Sequence, residues 1–218
     1  MKKSILLTII ASLSLLCLPA KASVVYSFKH IVEEHDGPIE LANGQTGEKQ
    51  LFVEVADHFA HQVLFSFTNT GPKPCSIIDI YFDNGQLFSM ASIDDSCPGV
   101  SFSQYATPHN LPGGQNLSPP FVATFSADSN PPVEHNGINP NEWLEITFNL
   151  KSGKSYDDVI SDLTSGGLRI GLHVQGFSNY MCGGSGSESF VNVPEPATLT
   201  ILGLGLVTLV RLPKRKTA

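Results

Sequence analysis

Two histidines are the first residues whose type and spacing could support chemistry. His58 and His61 flank a predicted turn, and their imidazole nitrogens would suit zinc or copper. The pair lacks the H-x-x-x-H spacing that places two ligands on one face of a helix, and no third ligand lies nearby in the sequence. The pattern favours surface residues of a turn over a metal site.

A set of acidic and amide side chains offers oxygen ligands for calcium. It does not follow the D-x-[DN]-x-[DN]-G order of an EF-hand loop, so an acidic rim without an ion is the preferred interpretation. We therefore expect no cofactor, with calcium as the alternative. The residues concerned are Asp79, Asp83, Asn84, Gly85, Asp94 and Asp95.

No catalytic motif is visible. The chain has no G-x-S-x-G nucleophile motif, although residues distant in sequence could form a Ser-His-Asp site. Glu142 and Glu145 are three positions apart on a predicted strand, so they point to opposite faces of a sheet and do not form a carboxylate pair. The sequence therefore predicts a protein that is not an enzyme.

Trp143 is the single tryptophan and the strongest candidate for ligand contact. Strand alternation places it with Glu145 and Thr147 on the polar face, where an aromatic ring beside a carboxylate and a hydroxyl could stack on a sugar. The alternative is a core role in which another element covers the ring, because large aromatic side chains are usually mostly buried.

Three cysteines follow an N-terminal segment that we predict to be removed. In an oxidising compartment a Cys75–Cys97 disulfide closes the shortest loop, of about 22 residues. Pairing of either residue with Cys182 is the alternative that the sequence leaves open. The chain contains no C-x-x-C pair, which argues against a structural zinc site of the ribbon type.

The elements that position these residues are mainly strands. Apolar residues recur at every second position in several segments, as in half-buried strands, and a single helix is predicted at 156–163 because Ser155 can cap its first turn. Many short strands with one helix predict an all-β fold, an antiparallel β-sandwich of jelly-roll-like form. Residues 108–120 and 128–141 are predicted to form long surface loops. The predicted strands are residues 51–55, 63–67, 76–82, 100–105, 121–125, 143–150 and 168–174.

The sequence patterns at both ends of the chain are typical of targeting segments. Two lysines, an apolar run over residues 5–18 and the A-x-A pattern of Ala20 and Ala22 predict a signal peptide over residues 1–22, cut before Ser23. At the other end, an apolar run over residues 197–210 follows a Pro-Glu-Pro triplet and precedes a basic tail that would stay in the cytoplasm. These residues are Pro194, Glu195 and Pro196 before the run, and Arg211, Lys214, Arg215 and Lys216 after it.

Residues 193–218 resemble the PEP-CTERM sorting signal of Gram-negative bacteria in motif, length and order of charges. The resemblance implies recognition by exosortase, a membrane transpeptidase-like enzyme, with cleavage near Pro-Glu-Pro. It also implies a transient membrane anchor through the apolar helix, followed by delivery to the cell surface or extracellular matrix.

The segment between the two ends, residues 23–192, is long enough for one domain. It carries six basic and 19 acidic residues, a formal charge of −13, which argues against binding to nucleic acid. We expect a structural or adhesive role in an exopolysaccharide-rich layer such as a biofilm matrix. A secreted enzyme acting on matrix polysaccharide is the alternative.

Overall fold

A computed structural model of the protein describes residues 23–83, 87–177 and 186–193. Most of the ordered elements in these ranges are strands. The strands are β1 (Ser23–His30), β2 (Leu51–His58), β3 (Gln62–Asn69), β4 (Ser76–Asp83), β5 (Phe88–Asp94), β6 (Phe102–Gln104), β7 (Phe125–Ser129), β8 (Glu142–Leu150), β9 (Arg169–Phe177) and β10 (Gly186–Asn192). The helices are α1 (Pro38–Gln50), α2 (Val133–Asn136) and α3 (Tyr156–Ser165).

The strand pairs of the described ranges are all antiparallel, in the order β5-β8-β3-β2-β1-β10-β9-β4-β7-β6. Strand β1 joins two layers, because Ser23–Ser27 pair with β2 whereas Phe28–His30 pair with β10. We name the layer from β5 to β2 sheet A and the layer from β10 to β6 sheet B. The predicted all-β, antiparallel sandwich is confirmed.

Aromatic rings hold the two layers together. The ring of Phe82 in sheet B meets the rings of Phe65 and Phe148 in sheet A edge to face, at centroid distances of 5.1 and 4.8 Å. On β8 every second residue enters this core, from Leu144 to Leu150. Because a one-residue slip would bring the polar set inside, this register is strongly fixed.

A second, smaller apolar cluster lies on the outer face of sheet B, beneath the irregular segment 105–124. Leu111 and Phe121 of that segment are buried against Tyr81 of β4. A Cβ on Gly171 of β9 would lie 2.6 Å from Leu111, so the close approach requires glycine there. The prediction of a strand at 121–125 is wrong. Phe121 packs into this cluster from an irregular segment, and β7 begins only at Phe125.

Helix α3 is the helix that the sequence predicted, with a capping box between Ser155 and Asp158. Helix α1 was not predicted, because its buried face is made of polar residues and glycines. A Cβ on Gly44 would collide with His30 and one on Gly47 with Phe190. The two glycines therefore let α1 approach β1 and β10 closely.

The predicted Cys75–Cys97 disulfide is wrong, because both thiols are free and buried. The two strands between these cysteines do not pair with each other, because β4 lies between β9 and β7 in sheet B and β5 lies beside β8 in sheet A. The sulfur of Cys75 instead accepts a hydrogen bond from Gln50 Nε2 at 3.1 Å, and burial raises the pKa of this thiol to about 11. Cys182 lies outside the described residues.

Candidate functional site

The outer face of sheet A carries the predicted contact residue. Trp143 and Glu145 are half-buried on this face, whereas Leu144 between them is fully buried. The strand register places Trp143 of β8 opposite Thr68 of β3, and Thr68 opposite Phe52 of β2. Two aromatic residues therefore lie in one row across three strands, although Trp143 also packs against the core.

Polar side chains surround this row, which we call the aromatic row (Phe52, Thr68 and Trp143). Ser66 Oγ donates a hydrogen bond to Glu145 Oε1 at 3.0 Å, and Gln62 Nε2 donates to Asn149 Oδ1 at 2.8 Å. Glu54 and Val25 on neighbouring strands are exposed. The face thus combines rings with hydrogen-bonding groups on a regular strand surface.

The two histidines flank the turn between β2 and β3. His58 ends β2, His61 adopts a left-handed backbone with φ of 64°, and β3 begins at the next residue. A cleft of about 580 Å³ lies beside this turn and the start of α3. Among the described residues no three His, Cys, Asp or Glu side chains come together in a way that could hold a metal ion.

The aspartates considered for calcium have separate partners. Asp83 forms an ion pair with Arg169. Hydrogen bonds from the side chain and from the backbone N–H of Ser96 lower the pKa of Asp94. Asp95 accepts from the N–H of Phe102. Asn84 and Gly85 lie outside the described residues. The described carboxylates therefore do not converge on one point.

The fourth described aspartate of that set, Asp79, belongs to a chain of hydrogen bonds on the outer face of sheet B. Its Oδ2 lies 2.8 Å from Nδ1 of His173, and Nε2 of His173 lies 3.2 Å from Oγ of Ser187. Since a carboxylate only accepts, Nδ1 carries the proton and Nε2 can accept the proton of Ser187. We call Asp79, His173 and Ser187 the triad.

Exposure increases along the triad. The side chain of Asp79 is 2 % exposed and that of His173 is 11 % exposed, whereas Ser187 is an exposed residue. The three residues lie on β4, β9 and β10, which are consecutive neighbours in sheet B. The sheet therefore fixes the buried acid and the imidazole and presents the hydroxyl to solvent.

A second carboxylate approaches the triad from β7. Asp128 lies directly opposite Asp79 in the strand register. Burial and the neighbouring Asp79 raise the pKa of Asp128 to about 6, against the lowering effect of a hydrogen bond from the backbone N–H of Thr107. Burial, assisted by the same two aspartates, also raises the pKa of Tyr81, whose hydroxyl donates to the carbonyl of Pro108 at 2.9 Å.

Ser187 lines an acidic pocket of about 330 Å³. One wall is the start of β10, where the buried Glu188 accepts hydrogen bonds from His30 Nε2 at 2.9 Å and from Asn43 Nδ2 at 3.1 Å. The other lining residues belong to the segment between β1 and α1, to the first turn of α1 and to segment 105–124. The lining residues are Ile31, Glu33, Asp36, Glu40, Pro112, Ser187, Glu188 and Ser189.

The sequence analysis missed the triad. His173 is 94 residues from Asp79 and 14 from Ser187, so no short motif contains the three residues. The available signal was an ionisable residue in the middle of each of two strands, Asp79 in β4 and His173 in β9, each with an apolar residue on either side. Such residues need a partner when they are buried, and each is the other's partner.

Comparison with known proteins identifies the C-terminal segment. Residues 192–216 match the PEP-CTERM protein-sorting motif, which confirms the resemblance seen in the sequence. The motif is that of an exosortase substrate, so it supports export, sorting to the cell surface and processing by exosortase. No curated protein and no solved structure matches the chain.

The targeting residues themselves are not part of the described structure. The predicted signal cleavage at Ala20 and Ala22, the Pro-Glu-Pro triplet and the basic tail all lie outside it. Within the described ranges, none of the helices has the length and apolar character needed to cross a bilayer. Transient anchoring through residues 197–210 stays a prediction.

Proposed function

We propose that the protein is an adhesive component of an exopolysaccharide-rich surface layer and that the outer face of sheet A binds the polysaccharide. The observation that carries this proposal is the aromatic row, in which Phe52 and Trp143 flank Thr68 across three strands. The sorting motif supports delivery to the cell surface. The row supplies a surface on which a sugar chain can lie.

The spacing of the two rings suits an extended polymer. Adjacent strands are about 4.8 Å apart, so Phe52 on β2 and Trp143 on β8 are separated by roughly 10 Å. A chain lying across the strands places sugar rings over both aromatic faces. Hydroxyl groups between the rings then meet Thr68 and the hydrogen-bonded pair of Ser66 and Glu145.

The negative charge of the protein disfavours one class of polysaccharide, the anionic polymers. With a formal charge of −13 on residues 23–193, the surface repels anionic polymers over about 10 Å at 0.1 M salt. Stacking of a sugar on an aromatic ring needs no charge. We therefore propose that the ligand is a neutral or cationic polysaccharide. Binding of a neutral polysaccharide should depend little on ionic strength.

The test compares polysaccharide binding of three alanine variants, at Trp143, Phe52 and Phe59. Retention is measured by affinity electrophoresis on a neutral, a cationic and an anionic polysaccharide. Trp143→Ala and Phe52→Ala are each expected to weaken binding to the neutral polymer about tenfold, as expected for about 1.4 kcal/mol of lost ring contact. Phe59→Ala is the matched control, because Phe59 is 71 % exposed in the β2–β3 turn, beyond the row.

Each outcome bears on the proposal. If Trp143→Ala unfolds the protein, as its packing against the core allows, the half-buried Phe52 still tests the row. Unchanged retention of Phe52→Ala and of every folded Trp143 variant would overturn the proposal, as would equal losses in Phe59→Ala. A preference for the anionic polymer would contradict the charge argument.

A further inference from the structure

The triad lies on the outer face of sheet B and is not used by the proposed polysaccharide surface. A buried acid paired with an imidazole can be purely structural, because each group satisfies the other. A structural pair of Asp79 and His173 does not need the third residue, Ser187. Ser187 is exposed, lines a pocket, and has its Oγ 3.2 Å from the free imidazole nitrogen.

We propose that Ser187, His173 and Asp79 form a nucleophilic site that hydrolyses short-chain carboxylic esters of neutral sugar hydroxyls. The assignment rests on three features of the geometry. Asp79 holds the imidazole through Nδ1, Nε2 faces the hydroxyl, and the hydroxyl opens to a pocket. This order of acid, base and nucleophile is the one that activates a serine, whatever the fold that carries it.

The reaction balances with water as the only co-reactant. Ser187 Oγ attacks the ester carbonyl carbon while its proton passes to Nε2 of His173. The carbon–oxygen bond to the sugar then breaks, and His173 returns the proton to the departing alcohol oxygen. Water attacks the acyl group on Ser187 with His173 again as base, which releases the carboxylic acid and restores the serine.

The size and charge of the pocket favour short-chain esters of neutral sugars. Its volume of about 330 Å³ is at the small end of ligand sites, so it accepts an acyl group with one sugar ring rather than a long acyl chain. Glu33, Asp36 and Glu188 line it, and these carboxylates exclude esters of anionic alcohols. Ser189 lies opposite His173 in the strand register and offers a second hydroxyl at the pocket wall.

Strand geometry supports a site that is already organised. Asp79 and His173 are paired directly by the ladder between β4 and β9, and Ser187 lies at a register shift of β10, between Gly186 and Glu188, which both pair with β9. Residues held on neighbouring strands keep their mutual distances better than residues on loops. Asp79 acts through His173 and is therefore a positioning residue, whereas Ser187 and His173 are the catalytic residues of the proposed site.

The experiment uses the full-length protein and two readouts. A fluorophosphonate is expected to label Ser187, as located by peptide mapping, and 4-nitrophenyl acetate hydrolysis gives kcat and KM. Ser187→Ala is expected to abolish labelling at this position and to lower kcat/KM at least 100-fold. Asp79→Asn is expected to lower kcat with KM nearly unchanged, because it disturbs the imidazole and not the pocket.

Ser92→Ala is the matched control, since Ser92 is an exposed serine on β5 in the other layer. Labelling of Ser92 as readily as Ser187, or a Ser187→Ala protein with the original rate, would overturn the proposal. Release of acetate from an O-acetylated neutral polysaccharide, lost in Ser187→Ala, supports the substrate class, and activity only on anionic esters contradicts it. Loss of this activity leaves retention by the aromatic row intact, so the two proposals fail separately.

Discussion

Asp128 and Asp79 face each other on β7 and β4, and their proximity makes the stability of the protein depend on pH. Burial and the charge of Asp79 raise the pKa of Asp128 from an ordinary value of 3.8 to about 6 in the folded state. The folded state therefore binds this proton more tightly than the unfolded state. The resulting destabilisation is absent below about pH 4, grows as pH rises towards 6, and is constant above that.

The magnitude follows from the size of the pKa change. A rise of about two pKa units corresponds to about 3 kcal/mol for a fully buried carboxyl group, at 1.36 kcal/mol for each unit. Asp128 is only half-buried, so solvent screening reduces this to about 1 kcal/mol. Asp128→Asn removes the charge, keeps an acceptor for Thr107 N–H and adds a donor towards Asp79. We expect it to raise the free energy of unfolding by about 1 kcal/mol at pH 7.5.

Urea unfolding of both proteins at pH 4 and pH 7.5 measures the effect. Asp57→Asn is the control, because Asp57 is exposed on β2 and its replacement removes one negative charge from the same acidic protein. An equal gain in both variants at pH 7.5 would show that net charge is the cause. A gain in Asp128→Asn that is as large at pH 4 as at pH 7.5 would refute the account, since Asp128 in the folded protein is protonated at pH 4.

Two further predictions concern packing and the thiols. Gly47→Ala is expected to destabilise the protein by about 2 kcal/mol in thermal or urea unfolding, because its methyl group meets the buried ring of Phe190; an unchanged midpoint would show that α1 can shift away from the sheet. Cys75 and Cys97 are expected to react with an alkylating reagent only after denaturation and without prior reduction, because both are free and buried. Mass mapping of a Cys75–Cys97 disulfide in native protein would contradict the second prediction.

The strands that the sequence predicts well are those with one face in the core. In β3, and in β8 from Trp143 onward, buried and half-buried residues alternate, so the sequence itself shows a hydrophobic period of two. In β4 nearly every residue is buried, because segment 105–124 covers the outer face as well. That segment also misled the prediction at 121–125, since burial of Phe121 in a loop resembles one position of a strand.

Helix α1 and the triad escape prediction for different physical reasons. The helix buries Asn43, Gly44 and Gly47, so its contact with the sheet depends on small size and has no apolar period to detect. The triad depends on which strands are neighbours, and Asp79 meets His173 only because β9 lies beside β4. Local sequence carries no information on that pairing.

The two proposed surfaces lie on opposite outer faces of one sandwich, and this arrangement has a consequence for experiments on long polymers. A chain that lies across the aromatic row leaves the pocket beside Ser187 open, since sheet A and the core separate them. A Trp143→Ala or Phe52→Ala protein should therefore hydrolyse a small soluble ester at the original rate, yet release less acetate from an O-acetylated polymer at low concentration, because it is retained less. Equal losses on both substrates would show that the two faces are coupled through the core.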